Sequence, residues 1–136
     1  ECRRLREKVG VIDLTPFSIG LGTQAAYALD VAGIYANRNT IPDEPGSPFY
    51  PSGLRLGTPL VTTRGMKEQE MGQIGQWIAA VIDHVKAAAL PEDGKARGPF
   101  IKAFQEQCAR DPYLLDVCNQ VRLLASEFPL FSENSV

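Results

Sequence analysis

Arg55 is the residue whose placement in this chain most demands a chemical explanation. It stands between two leucines in the run Gly53-Leu54-Arg55-Leu56-Gly57. Alternation along an extended strand turns Leu54 and Leu56 to one face and the guanidinium to the other. A guanidinium held by a packed backbone can grip a carboxylate through two parallel hydrogen bonds, fixing orientation as well as charge. A structural ion pair with a nearby aspartate or glutamate would explain the same placement, so the residue types leave both readings open. Arg64, between Thr63 and Gly65, is expected to bond loop carbonyls or an acidic neighbour.

Five of the ten prolines (Pro42, Pro45, Pro48, Pro51 and Pro59) fall within residues 37–65, around Arg55. Each fixes one backbone torsion, and a loop stiffened in this way loses little entropy when a ligand orders it. Elsewhere the chemistry is sparse. The single histidine, His84, lies beside the apolar stripe of a helical pattern. It has no serine partner and no Cys or carboxylate at metal-ligand spacing, so a structural or solvated role is expected. Cys2, Cys108 and Cys118 also lack metal spacing. Their odd number fits reduced thiols, with Cys108 and Cys118 read as small buried hydrophobes. Gly20-Leu21-Gly22 lacks the third glycine of a dinucleotide-binding loop and reads as a turn.

The elements that must position these residues can be read from periodicity. Residues 8–14 form a β-branched strand stopped by Thr15-Pro16. Thr23 is a candidate N-cap for a helix running to about Ala32, with Gly33 closing it. Ile34-Tyr35-Ala36 reads as a short strand, Gly53–Gly57 as a second, and Leu60-Val61 as a further extended piece. From Lys67 to about Ala89, apolar residues at Met71, Ile74, Ile78, Val81, Ile82 and Val85 follow helical spacing. Pro99 fits a first helical position for the next helix, and a last helix is expected over about Tyr113–Ser126. The polar tail Ser132–Val136 is expected to fray. This order predicts a two-layer α/β domain: a small, mostly antiparallel sheet covered by helices on one face, with a helical C-terminal part.

Composition narrows the function. The 136 residues suffice for one domain with one core. A net charge of -2 gives no broad attraction for nucleic acid or an anionic membrane. No apolar run approaches the roughly 20 residues needed to span a bilayer. The charged opening Glu1-Cys2-Arg3-Arg4-Leu5-Arg6 shows no signal-peptide pattern and reads as an internal start.

Several signatures occur in order: Val11-Ile-Asp-Leu-Thr-Pro16, Ala32-Gly-Ile34, Asn37-Arg-Asn-Thr-Ile-Pro42, Ser47-Pro-Phe49, Ser52-Gly-Leu-Arg-Leu-Gly-Thr-Pro59 and Thr62-Thr-Arg-Gly65. Together they resemble the C-terminal small domain of serine hydroxymethyltransferase, a pyridoxal-phosphate enzyme that interconverts serine and glycine with transfer of one carbon to tetrahydrofolate. Phe128-Pro-Leu-Phe131 resembles that family's terminal Phe-Pro pattern. The resemblance is strongest over residues 9–85. It implies that residues 1–136 are this small domain without the large cofactor-binding domain. It implies that Arg55 binds the substrate carboxylate, and that Asn39, Ser47, Pro48 and Phe49 contact the folate. It also implies a cytoplasmic homo-oligomeric enzyme, with serine or glycine, folate and the large domain as partners.

The departures matter too. None of Lys8, Lys67, Lys86, Lys95 and Lys102 has the Thr-His-Lys setting of the family's Schiff-base lysine, so the chain alone is expected to be inactive. Residues 18–24 and the stretch before the first strand also differ from the family pattern. A non-catalytic binding or assembly module on the same scaffold, or a related aldolase, are the alternatives.

Overall fold

A computed structural model describes residues 10–130. Three short strands and five helices follow in chain order: β1 (Val11–Asp13), α1 (Gly22–Val31), β2 (Asn37–Asn39), β3 (Gly53–Arg55), α2 (Pro59–Thr63), α3 (Glu68–Val85), α4 (Gly94–Cys108) and α5 (Pro112–Glu127). The sheet has the order β1-β3-β2, and both pairings are antiparallel. The α/β class, the small antiparallel sheet and the helical C-terminal part are as the sequence predicts. Lys8, Val9, Cys2 and the tail Ser132–Val136 lie outside the described residues.

The centre of the molecule is α1. Its small residues Ala25 and Ala28 and its Leu29 are completely buried, and it packs against the sheet and against α3, α4 and α5. Small side chains let the neighbouring backbones come close. Gly22 is the extreme case: its amide donates to Pro51 O at 2.9 Å, and a β-carbon there would lie 2.5 Å from that oxygen. Leu14, Leu54, Val81, Phe104, Leu114 and Val117 complete one continuous core. Polar bonds lock the layers. Gln24 Nε2 donates to Ala88 O at 2.9 Å, and Trp77 Nε1 on α3 donates to Gln120 Oε1 on α5 at 3.1 Å.

Several local expectations shift, each for a visible reason. The helix α1 begins at Gly22, so Thr23 is not its cap but sits inside the first turn, where its hydroxyl accepts from Arg38 Nη1 at 3.4 Å. Gly33 closes α1 as expected, with φ +79° and a reversed pair of bonds, Gly33 N to Asp30 O and Ile34 N to Leu29 O. That closure occupies Ile34, so the strand starts three residues later than predicted, at Asn37. Leu60-Val61 is helical rather than extended. Pro59 takes the first-turn position it favours, and the Thr62 and Thr63 hydroxyls bond back to Thr58 O and Pro59 O. The long helix α3 ends at Val85, short of Ala89. Pro99 lies within α4, because Asp93 caps that helix earlier by accepting from Lys95 N at 3.0 Å. Asp111 caps α5 the same way, with Pro112 in its first turn.

Candidate functional site

The register of the sheet sorts its side chains into two faces. Ile12, Leu54 and Arg38 are aligned across the three strands, and Leu54 is fully buried on this inner side. Val11, Arg55 and Asn37 form the row on one side of it, and Asp13, Gly53 and Asn39 the row on the other, both facing outward. Arg55 is exposed, and among the described residues it makes no ion pair. The structural salt bridge that could have explained its placement is therefore missing among those residues. Asn39 and Arg55 share the outer face as diagonal neighbours on adjacent strands, a relation that typically separates residues by about 7–8 Å. The Asn39 amide nitrogen donates to Thr40 O at 2.8 Å.

Gly53 makes the strand pairing this tight. A β-carbon there would meet Asn39 O at 2.6 Å and the Ile41 side chain at 2.7 Å. At Gly53 the Ile41 and Val11 side chains cover the outer face of β3, whereas Arg55, two residues on, is exposed.

Residues 40–52 connect β2 to β3 and carry the other predicted residues. Ser47 and Tyr50 close a turn, with Tyr50 N donating to Ser47 O at 2.9 Å and Phe49 N to Ser47 Oγ at 3.2 Å. Pro48 and Phe49 are at its tip, and Phe49 is 79% exposed. An apolar ring presented to solvent on a turn of this kind is placed for stacking. The structure therefore brings Asn39, Ser47, Pro48, Phe49 and Arg55 onto one strand–loop–strand unit.

Two side chains that sequence reasoning missed hold that unit. The Glu44 carboxylate accepts from Ile41 N (3.3 Å), Gly46 N (3.0 Å), Ser52 N (2.9 Å) and Ser52 Oγ (2.6 Å). Ser52, fully buried, also accepts from Gly20 N at 2.8 Å, which ties the loop to the β1–α1 connection. Partial burial alone pushes the Glu44 carboxyl upward. The bonds from Ser52, Gly46 and Ile41 outweigh it and hold the group below its ordinary value. The second is Arg97 on α4, whose guanidinium lies 5.7 Å from the Tyr50 ring centre while its Nε donates to Pro91 O. Only the spacing of Glu44 to Gly46, an acidic residue two before a glycine in a proline loop, hinted at such a turn.

The remaining candidates resolve as structure. Arg64 donates from Nε to Phe128 O at 2.6 Å and from Nη2 to Ala125 O at 2.5 Å, covering the carbonyl end of α5. His84 Nε2 lies 2.9 Å from Asp111 Oδ2, and its ring packs on Tyr113 at 4.5 Å. Cys108 is buried, and burial, then the neighbouring Asp111 charge, push its thiol up to about 11, so it is no nucleophile at neutral pH. No group of three or more metal-ligating side chains exists among the described residues. A groove of about 560 Å³ opens between the end of α1, α2, α3 and α5, lined by Ile34, Leu56, Val61, Trp77 and Val121. Since Leu56 lines it, strand alternation puts the groove on the side of the chain opposite Arg55.

The model of the serine hydroxymethyltransferase family matches residues 7–78, more than half of the chain and all of β1, β2, β3 and the intervening loops. The chain belongs to the serine hydroxymethyltransferase family. A serine hydroxymethyltransferase of Methanospirillum hungatei JF-1 is 44% identical over 123 residues, 90% of this chain but 24% of that protein. One of Acidobacterium capsulatum is 55% identical over 64 residues, 47% of this chain and 15% of that protein. The chain thus spans about a quarter or less of the length of these relatives.

Proposed function

We propose that this chain supplies the substrate-carboxylate and folate contacts of a serine hydroxymethyltransferase. Arg55 is the carboxylate clamp: an exposed guanidinium on the outer sheet face, without an ion partner among the described residues, and with family membership behind it. Its fork can hold serine or glycine by both carboxylate oxygens. Asn39, Ser47, Pro48 and Phe49 form the folate wall. Phe49 offers a ring face for stacking, and an asparagine side-chain carbonyl such as that of Asn39 can accept from a pterin edge. That these residues sit on one strand–loop–strand unit with Arg55 is the observation that carries the reading.

The family implies pyridoxal phosphate, which supplies an electron sink for the bonds broken at the amino-acid α-carbon. The described residues do not fit its attachment. Lys67, Lys86, Lys95 and Lys102 are all exposed on or beside helices, and none lies on the outer sheet face with Arg55. Attachment of the cofactor is assigned to the part of the longer enzyme that this chain does not cover. The chain's own contribution is to bind and orient the amino acid and the folate, and it has no turnover alone.

The test is a chimera in which this chain replaces the matched segment of the Methanospirillum hungatei enzyme. It should interconvert serine and glycine. Loss of a bidentate, charge-assisted contact by Arg55→Ala should raise the KM for serine or lower kcat/KM by roughly 100-fold or more, with cofactor absorbance retained. Unchanged serine kinetics would refute the clamp.

A further inference from the structure

We infer that Glu44 is the positioning residue of the 40–52 loop, fixing the proposed folate wall relative to the strand that carries Arg55. The inference rests on the folate reading above for what the loop does, and on geometry alone for how it is held. One carboxylate takes four donors: Gly46 N and Ser52 Oγ on Oε1, Ile41 N and Ser52 N on Oε2. These donors come from the start, the middle and the end of the loop. Ser52 directly precedes Gly53, the first residue of β3, and Ile41 lies two residues after Asn39, the last of β2. Glu44 therefore draws the two strand ends and the Ser47–Tyr50 turn onto one point. Its neighbour Asp43 adopts φ +56°, a left-handed turn that an aspartate tolerates and that swings the next residue inward. Ser52 passes the constraint on, since its hydroxyl donates to Glu44 and accepts from Gly20 N.

The chemistry of the hub excludes a neutral substitute. Two carboxylate oxygens accept all four bonds, whereas a glutamine offers one acceptor oxygen and turns an NH₂ group toward two donors. An aspartate is one methylene shorter and cannot span the same donors. The Glu44 carboxylate is taken up by donors of the loop itself. It acts through the loop, so its loss should move affinity for the folate and leave the bond-making steps alone.

The test reads the loop and the ligand separately. In the 136-residue chain, Glu44→Gln should speed hydrogen exchange at the Gly46, Ser52 and Gly20 amides about ten-fold or more, with the amides of α3 and α5 at wild-type rates. Ser52→Ala, which removes the shared hydroxyl, should speed Gly20 most and Gly46 less. Unchanged protection at Gly46 and Ser52 in Glu44→Gln overturns the inference. Loss of protection throughout the helices overturns it as well, because Glu44 would then hold the whole domain rather than the loop. In the chimera, Glu44→Gln should raise the KM for tetrahydrofolate about ten-fold with kcat retained. A loosened loop with an unchanged tetrahydrofolate KM leaves the positioning role standing and removes the folate reading instead.

Discussion

At the scale of single residues, three arginines of one chain do three different jobs, and their surroundings decide which. Arg55 is exposed on a sheet face with no ion partner among the described residues. Arg64 is half-buried and spent on the carbonyls of Phe128 and Ala125. Arg97 lies over a tyrosine ring. Substitution should separate them. Arg64→Ala leaves carbonyl groups at the end of α5 without their charged donor and should cost roughly 2 kcal/mol of stability, measured by urea unfolding, without changing serine KM in the chimera. Arg55→Ala should do the reverse, leaving the unfolding free energy within about 0.5 kcal/mol of wild type, because this exposed side chain makes no ion pair among the described residues.

At the scale of elements, the junction of α4 and α5 is where charge and helix termini meet. The Asp111 carboxyl is pushed up by partial burial. It is pulled down further by the His84 hydrogen bond and by the Leu114 and Tyr113 amides, and it sits below its ordinary value. A carboxyl whose folded value is depressed stabilises the fold above its unfolded value and loses that contribution as pH falls through the folded one. Asp111→Asn keeps a capping oxygen but removes the charge. Its deficit against wild type, followed by thermal melting, should therefore be full at neutral pH and disappear as pH drops below the ordinary carboxylate range. Asp111→Ala removes the cap as well and should cost about 1 kcal/mol at neutral pH.

This junction also shows what the sequence could reveal. The start of the last helix, expected near Tyr113 and found at Pro112, was legible because capping and proline rules are local. Likewise the α3 stripe and the Gly33 stop were legible, since a period of 3.6 and a positive φ need no distant partner. Pro99 misled because a proline tolerated inside a helix looks the same in sequence as one that starts it, and the deciding cap was Asp93. The outward turn of Arg55 followed from its flanking leucines. The Glu44 hub did not, because its donors belong to residues up to eight positions away and converge only once the loop has closed.

At the scale of the whole molecule, one core serves sheet and helices together. Leu54 from β3, Leu29 from α1 and Leu114 from α5 all belong to the same buried cluster. Leu114→Ala should cost about 3 kcal/mol, within the usual range for a buried leucine. The loss should be shared: Trp77 fluorescence, which reports the α3–α5 contact, and far-ultraviolet circular dichroism should shift to the same lower midpoint. Separate midpoints would show that the α3–α5 layer unfolds independently of the sheet.

The strand order β1-β3-β2 has a consequence for how the chain comes together. Neither β1 nor β2 pairs with the other; each pairs only with β3, the last of the three to be synthesised. Among the described residues, a nascent chain that has reached Asn39 holds β1 and β2 but not the strand that pairs with either. Pairing waits for Gly53–Arg55, and the two pairings then differ in span: β2 joins β3 locally, whereas β1 joins it from forty or more positions away, with the larger loop-closure entropy that such a span carries. Arg55 stands between Val11 and Asn37 only once both pairings are made. Because β3 is common to both pairings, every sheet pairing among the described strands includes the strand that carries the proposed clamp.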